Sequence, residues 1–364
     1  MQDLIDAVPV LGKKHPELAR WMILAVALLA PCLISPFGNS WIRTLDFAML
    51  YVMLAIGLNL VVGFAGLLDL GYIAFYAVGA YSYAFLASPH FGIHWPFWMI
   101  LPIAAACAAL AGIILGLPTL KLRGDYLAIV TLGFGEIVRI FMNNLSQPIN
   151  ITNGPQGIDS IDSLVVFGVD LSRKIVVTDD FSIPSLYLYY YAFLICVAAS
   201  IWFMGRLQVS RIGRSWAAIR DDELAAKSVG INTRNMKLLA FSLGATFGGV
   251  AGGLFASFQN FISPESFSLM ESIAVLTMVV FGGMGNVAGV IVGALLISAL
   301  PELLRHISVP IQQQLFGHVI VDAEILRMLL LSLSMIFMML IRPAGIIPAH
   351  SRHSKPRLLT GGNA

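Results

Sequence analysis

The feature of this sequence that most limits its fold is a series of long apolar stretches along nearly the whole chain. An α-helix needs about 20 predominantly apolar residues to cross a lipid bilayer. Segments near that length occur at 21–37, 45–62, 69–87, 96–117, 126–143, 186–205, 238–258, 270–283, 287–304 and 324–341. The eighth segment is short, and 270–304 is either two spans or one span plus a re-entrant segment. The pattern predicts an all-α polytopic membrane protein with about ten transmembrane helices.

The composition also favours a membrane location. Of the 364 residues, 58% are hydrophobic and 12% are charged, whereas soluble domains contain about 25% charged residues. Because so few charges cannot cover a water-facing surface, much of the surface must face lipid. No small-residue cleavage motif follows the first apolar stretch, which predicts an uncleaved first span. The cysteines Cys32, Cys107 and Cys196 lie in apolar stretches and are expected to be small buried hydrophobic residues.

The basic residues predict the orientation of the chain. If the N-terminus is cytoplasmic and the spans alternate in direction, 16 lysines and arginines fall in cytoplasmic segments and four in outer segments. This asymmetry follows the positive-inside rule and places both termini in the cytoplasm. The predicted divisions are a cytoplasmic N-terminal segment 1–20, a transmembrane domain 21–341 with an outer loop 144–185 and a cytoplasmic loop 206–237, and a cytoplasmic tail 342–364.

The cytoplasmic loop 206–237 carries a helical pattern of its own. Its middle part is rich in good helix formers, and Gly230 stands where a helix often ends in a left-handed residue. Trp216 and Ile219 are three residues apart, so they share a helix face. The acidic run 221–223 suits the partially positive first turn of a second helix. We expect one or two short helices across the cytoplasmic surface. An amphipathic helix resting on lipid headgroups or a helix-turn-helix would have a similar pattern.

Several motifs in order along the chain resemble one family. Residues 225–230 resemble the EAA loop of bacterial ABC permeases, with the core E-A-A-x-x-x-G, although Leu224 occupies the Glu position. The longer string 213–231 is similar to the LivM-type permease subunits of branched-chain amino acid ABC transporters (LivHM permeases). Further similar stretches are Gly63–Gly71 with Ala74, Phe75 and Gly79–Tyr81; Leu122–Tyr126 with Thr131–Gly133 and Glu136; Asn153–Gly157; and Gly282–Asn286. The resemblance covers nearly the whole chain.

The resemblance implies an ABC importer permease architecture and transport of leucine, isoleucine and valine across a bacterial inner membrane. It implies no catalytic role, cofactor or metal, and the chain has no G-x-x-x-x-G-K-[ST] phosphate loop. The implied partners are a LivH-like second permease subunit, two cytoplasmic ABC ATPase subunits, a periplasmic amino-acid-binding protein and membrane lipid, but no nucleic acid. The loop 206–237 would couple to the ATPases through Gly213, Arg214, Trp216, Ile219, Arg220, Glu223, Ala225, Ala226 and Gly230.

Charges and helix breaks within the spans are candidates for a translocation path. Glu136 and Arg139 can pair on one helix face, either as a path or gating element or as a structural ion pair. Transporters often interrupt helices along the substrate path, and glycine-rich breaks occur at 63–71, which contains Asp69, and at 282–286. Each break is either such an interruption or a tight turn at the cytoplasmic surface. The candidate path residues are Gly66, Asp69, Gly71, Glu136, Gly282, Gly283, Gly285 and Asn286.

Other functions stay open at this point. Related permeases carry urea or other small polar solutes, so the solute depends on the resemblance. A stand-alone secondary transporter would need an ion or proton site in the bilayer, for which Glu136 is the one acid expected well inside a span. A membrane enzyme is disfavoured, because the seven histidines lie outside the predicted spans and none belongs to an H-E-x-x-H motif.

Overall fold

A computed structural model describes residues 16–122, 124–147, 150–166, 168–172, 174–178, 181–316, 318, 321–342 and 344–348. Most of the predicted N-terminal segment, Arg123 and the tail beyond 348 lie outside these residues. The helices are α1 (Pro16–Ile34), α2 (Asn39–Asn59), α3 (Ile73–Leu86), α4 (Phe97–Thr119), α5 (Asp125–Asn144), α6 (Ser185–Val209), α7 (Arg211–Asp221), α8 (Glu223–Ser228), α9 (Thr233–Gln259), α10 (Leu269–Gly282), α11 (Val287–Phe316) and α12 (Ala323–Ile341).

Each of the ten predicted spans corresponds to one helix of the structure, although several boundaries differ. The apolar segment 69–87 begins as irregular chain, and α3 starts only at Ile73. The helix predicted at 287–304 continues as α11 to Phe316, because polar residues after 304 end the apolar pattern without ending the helix. The segment 270–304 forms two helices, the short α10 and the long α11.

Five helices in the described ranges are both long and apolar enough to cross a membrane. They are α2 with the π turn that extends it (Asn39–Phe64), α4, α6, α9 and α11 over Val287–Gln314. Shorter apolar helices are Leu24–Ile34, Ile73–Leu86, Leu269–Gly282 and Ile325–Ile341. The helix α5 has 20 residues but carries Asp125, Glu136 and Arg139. The fold is therefore all-helical, with five long apolar helices and several shorter ones.

The long helix α9 lies at the centre and packs chiefly against α3 and α4. Glycines allow this close approach, because a Cβ on Gly252 would overlap the backbone of Tyr76 and one on Gly79 would overlap that of Gly249. Small residues serve this purpose in helix packing within membranes. A second group forms around α2, which packs against α11, α6 and α9.

The connections collect at two ends of the helix bundle. We call the end with α7 and α8 the helical-loop end and the opposite one the hairpin end. Short strands at the hairpin end pair as β1 (Ala87–Ser88) with β2 (Ile93–His94), β3 (Val165–Val166) with β4 (Val169–Asp170), and β5 (Ile175–Thr178) with β6 (Phe181–Ile183). There Ile158 pairs with Ile262, and the Asp162 amide donates to the Ala87 carbonyl at 2.7 Å.

Two of the helices, α3 and α10, are too short to extend from one end to the other. Each has 14 residues, which gives a length of about 21 Å at 1.5 Å per residue, against about 30 Å for a hydrocarbon core. Both begin beside each other inside the bundle, where the Ser272 hydroxyl of α10 donates to the Leu70 carbonyl at 2.6 Å. From there α3 runs to the hairpin end and α10 to the helical-loop end.

Candidate coupling and translocation site

The loop 206–237 folds as two short helices with side-chain caps. The Ser210 hydroxyl accepts a hydrogen bond from the Gly213 amide at the start of α7. The Asp222 carboxylate accepts from the amides of Leu224 and Ala225 at 2.8 and 3.1 Å, which caps α8. Gly230 follows α8 with a φ of +87°, a conformation that favours glycine. The prediction of one or two short helices in this loop is therefore confirmed, and there are two.

The buried face of these helices fixes them to the start of α9. Trp216 is fully buried, and its indole N–H donates to the Met236 carbonyl at 2.8 Å. Ile219 and Ala226 are also buried. The carboxylate of Glu223 lies 3.0 Å from the ammonium of Lys237 on α9. Several candidate coupling residues therefore hold the loop in place, namely Trp216, Ile219, Glu223 and Ala226. Arg214, in contrast, is exposed at the surface of the loop.

Arg220 connects α7 to the first glycine-rich break. Its guanidinium donates a hydrogen bond to the carbonyl of Gly63, in the π turn that ends α2. Its side chain also lies on Gly66, where an added Cβ would be 3.0 Å from the Arg220 Cγ. A larger residue at this position would push against the arginine. The loop helices therefore contact the membrane helices through a specific hydrogen bond and a close approach.

The second glycine-rich break meets the first at the same place. The Gly285 amide donates to the side-chain carbonyl of the fully buried Asn59 at 2.8 Å, and a Cβ on Gly63 would lie only 2.5 Å from that amide. We call Asn59, Gly63, Gly66, Arg220 and Gly285 the glycine junction. It joins α2, the loop helices and the turn between α10 and α11.

The chain after α12 covers the second break. The amides of Ile346 and Ile347 donate to the carbonyls of Phe281 and Gly282 at 2.9 and 3.1 Å. The side chain of Asn286 donates to the Ile347 carbonyl at 3.3 Å. The break at 282–286 is therefore a tight turn whose backbone is hydrogen-bonded to neighbouring chain.

The first break differs from the second, because it enters the bundle as irregular chain. The Leu70 amide donates to the Thr131 hydroxyl of α5 at 3.0 Å. Asp69 is fully buried, and its Oδ1 accepts a hydrogen bond from the Gly71 amide at 2.9 Å. Gly71 packs directly on the backbone of Thr131. Irregular backbone inside a membrane protein is tolerated where protein surrounds it in this way.

Glu136 lies apart from the glycine junction. Its carboxylate pairs with the Arg139 guanidinium one turn later on α5, as the sequence predicts. The two side chains are 37% and 34% exposed, so the rest of the described chain covers them only in part. The candidate path residues therefore occupy two regions, the breaks near the junction and the surface of α5.

The expectation that Glu136 is the one acid well inside a span is wrong. Asp46 is fully buried within α2, and neither of its carboxylate oxygens has a hydrogen-bond partner among the described residues. Glu271 in α10 accepts a hydrogen bond from the Tyr51 hydroxyl at 2.8 Å and lies 3.8 Å from the Arg327 guanidinium. Both acids lie within predicted apolar segments, so inspecting every acid in those segments would have found them.

These features are those of a polytopic transport protein, and comparison with known proteins identifies its family. The family model described as the branched-chain amino acid transport system / permease component matches residues 40–340. The chain therefore belongs to this family of membrane permease components. It is a non-catalytic transport subunit, and the family resemblance seen in the motifs is confirmed.

Individual relatives agree with the family. The chain is 43% identical to the high-affinity branched-chain amino acid transport system permease protein LivM of Escherichia coli (strain K12), over 90% of this chain and 75% of the relative. It is 42% identical to the Salmonella typhimurium protein of the same name, over 90% and 73%. A probable LivM of Methanocaldococcus jannaschii is 26% identical over 75% and 74%. No solved structure gives a significant match.

Proposed function

We propose that this chain is the membrane-spanning permease subunit of a bacterial ABC importer for leucine, isoleucine and valine. The names of the E. coli and S. typhimurium relatives, which are 43% and 42% identical over 90% of the chain, support this substrate class. The hydrogen bond from Arg220 to Gly63 carries the mechanistic part of the proposal. A permease driven by separate ATPases needs such a contact to transmit movement from its cytoplasmic loop into its membrane helices.

In this proposal the chain crosses the membrane ten times, at α1 to α6 and α9 to α12, as a transmembrane domain over 21–341, and the irregular chain before the short α3 and α10 completes those two crossings. The segments 1–20 and 342–364 and the loop 206–237 are cytoplasmic, and the loop 144–185 is outside. The basic residues favour this orientation. The grouping of loops supports the alternation of spans, since both breaks, the loop helices and residues 344–348 meet at the helical-loop end.

The partners are a LivH-like second permease subunit, two ABC ATPase subunits and a periplasmic amino-acid-binding protein. An exposed apolar patch on the loop helices supports ATPase docking at the helical-loop end. Leu224 and Val229 are 63% and 78% exposed on this loop. Exposed apolar groups of this kind mark protein interaction sites. The binding protein would then deliver substrate at the hairpin end.

In this proposal, movement of the loop helices α7 and α8 is transmitted to the membrane helices through the glycine junction. Closure of the ATPases moves α7 and α8 as one body, because Trp216 and the Glu223–Lys237 pair hold them together with the start of α9. Arg220 passes the movement to the first break, from which α3 begins. Transport then follows by alternating access, as the two permease subunits rock around a path near the breaks.

The Arg220→Ala variant tests this mechanism. We expect leucine uptake by the complete complex in vesicles to fall about tenfold, within the usual range of coupling energies, while ATP hydrolysis continues. The reason is that the loop helices still dock but lose their hydrogen bond to α2. The exposed Arg211 on the same helix provides a control, and Arg211→Ala is expected to leave uptake within about twofold.

Assembly is measured first, by purifying the tagged chain from its native membrane in mild detergent. A second permease and ATPase subunits are expected to purify with it. Recovery of the chain alone in a form that still transports would contradict the importer and favour a stand-alone transporter. Unchanged uptake by Arg220→Ala in an assembled complex would contradict only the coupling route.

A further inference from the structure

The helix α5 contacts the rest of the chain along one side and leaves the opposite side open. Its buried residues are Leu127, Ala128, Thr131 and Gly135. The open side carries large exposed residues at helical spacing, namely Tyr126, Ile129, Val130, Ile137, Ile140 and Phe141. Gly133 lies among them, and an added Cβ there would meet nothing within 4 Å. We call these exposed residues the α5 face.

The Glu136–Arg139 ion pair borders this face near the middle of the helix. Glu136 lies 11 residues after Asp125 and eight before Asn144, or about 16 and 12 Å along the axis at 1.5 Å per residue. In a helix that spans the bilayer, this position is close to the membrane centre. Ionisable residues at that depth face a protein interior or a water-filled cavity, because exposure to lipid is costly.

The exposed faces of α4 and α6, two other helices long and apolar enough to cross a membrane, lack such charges at mid-length. On α4, the outward residues include Leu110 and Ile114. On α6, they include Ile195 and Trp202, and the exposed Arg206 follows only near the helix end. These apolar surfaces suit lipid. Because the α5 face borders an ion pair, we expect protein and water, and not lipid, to cover it in an assembled transporter.

Building on the proposed function, we propose that Glu136 and Arg139 bind the zwitterionic part of an α-amino acid on the path between this chain and the second permease subunit. The Glu136 carboxylate binds the α-ammonium group, and the Arg139 guanidinium binds the α-carboxylate. Guanidinium and carboxylate groups match in geometry and form paired, charge-assisted hydrogen bonds. The apolar side chain of the substrate contacts Ile137 and Ile140.

The existing ion pair is suited to this exchange. Each partner is about one third exposed, and exposed pairs contribute little to folding stability. Opening the pair leaves two opposite charges one helical turn apart, and a zwitterion supplies the complementary charge for each. A solute without both charges would satisfy only one partner, which gives the site a preference for free amino acids over uncharged polar solutes.

A double-mutant cycle separates substrate binding from a structural role. The variants are Glu136→Gln, Arg139→Gln and the double variant, each in the complete complex in vesicles with its binding protein. If the pair binds substrate, the double variant loses at least about tenfold in leucine uptake, as much as either single variant, while the subunits still purify together. If the pair is only structural, each single variant leaves an unpaired charge and the double variant recovers wild-type uptake. That recovery would overturn the proposal.

A cysteine experiment tests the environment of the α5 face in the same complex. In a background without Cys32, Cys107 and Cys196, Ile137→Cys is expected to react with a membrane-impermeant cationic thiol reagent, more slowly when leucine and its binding protein are present. The control Ile195→Cys on α6 is expected to remain unreactive. Equal lack of reaction at both positions would place the α5 face in lipid and overturn the proposal.

The outcomes also distinguish this inference from the proposed function. If the wild-type complex does not take up branched-chain amino acids, the proposed function fails regardless of the variants. If the wild-type complex transports them and the double variant does so equally well, the importer stands and only the binding role of Glu136 and Arg139 fails.

Discussion

Asp222 lies between α7 and α8, and its side chain accepts two amide hydrogen bonds that begin the second helix. At the scale of single residues, such local roles can be predicted, because they depend on neighbours a few positions away. Gly230 and the shared face of Trp216 and Ile219 are of the same kind. The contact between Arg220 and Gly63 is 157 positions apart in sequence. It could not be predicted, because it depends on how distant helices pack.

Asn59 provides a residue-scale prediction for the glycine junction. The Asn59→Leu substitution removes the acceptor of the partly buried Gly285 amide, and a donor that loses its partner away from water costs about 1–3 kcal/mol. We therefore expect a lower unfolding temperature for the purified complex, measured by thermal shift in detergent. The control is Asn235→Leu at an exposed position of α9, which is expected to change little. Equal unfolding temperatures for the two variants would show that the Asn59 hydrogen bond does not stabilise the junction.

At the scale of elements, each predicted apolar segment matches a helix in the described part of the chain, since hydrophobicity and length are properties of the segment itself. Their ends were less predictable. The residues before Ile73 are apolar enough to look like helix, yet Asp69 and Gly71 instead hold irregular chain against Thr131. The short helices α3 and α10 begin inside the bundle because of such tertiary contacts, which override the apolar pattern.

The packing of α3 on α9 leads to an element-scale prediction. Gly252→Ala places a methyl group into the backbone of Tyr76, and the two helices must separate to accommodate it. Overpacking of this kind costs about 1–3 kcal/mol, so the yield of monodisperse protein and its unfolding temperature are expected to fall. In the matched variant Gly205→Ala, the methyl group meets no atom within 4 Å, and alanine favours the helix by up to about 1 kcal/mol. If both variants behave alike, close packing at Gly252 is not a source of stability.

At the scale of the whole molecule, two independent features agree. The charge asymmetry predicts which loops share a side of the membrane. In the structure, loops that are predicted to share a side contact each other. At one end, residues 344–348 bind the turn after α10, and Arg220 reaches the end of α2. At the other, Ile158 in the predicted outer loop pairs with Ile262. An odd number of crossings between these segments would have separated them.

The grouping of loops does not by itself determine which end faces the cytoplasm. The last prediction therefore concerns this orientation. Asp159 is exposed in the hairpin-end loop, and Val229 is exposed beside α8 at the helical-loop end. In a chain without its three cysteines, we expect an impermeant maleimide to label Asp159→Cys in intact spheroplasts and Val229→Cys only after the membrane is opened. The positive-inside rule is the physical reason, because basic segments remain in the cytoplasm. Labelling of Val229→Cys from outside would place α7 and α8 beyond the reach of cytoplasmic ATPases. The Arg220 route could then not drive transport, whereas the Glu136–Arg139 pair would still lie near the middle of α5.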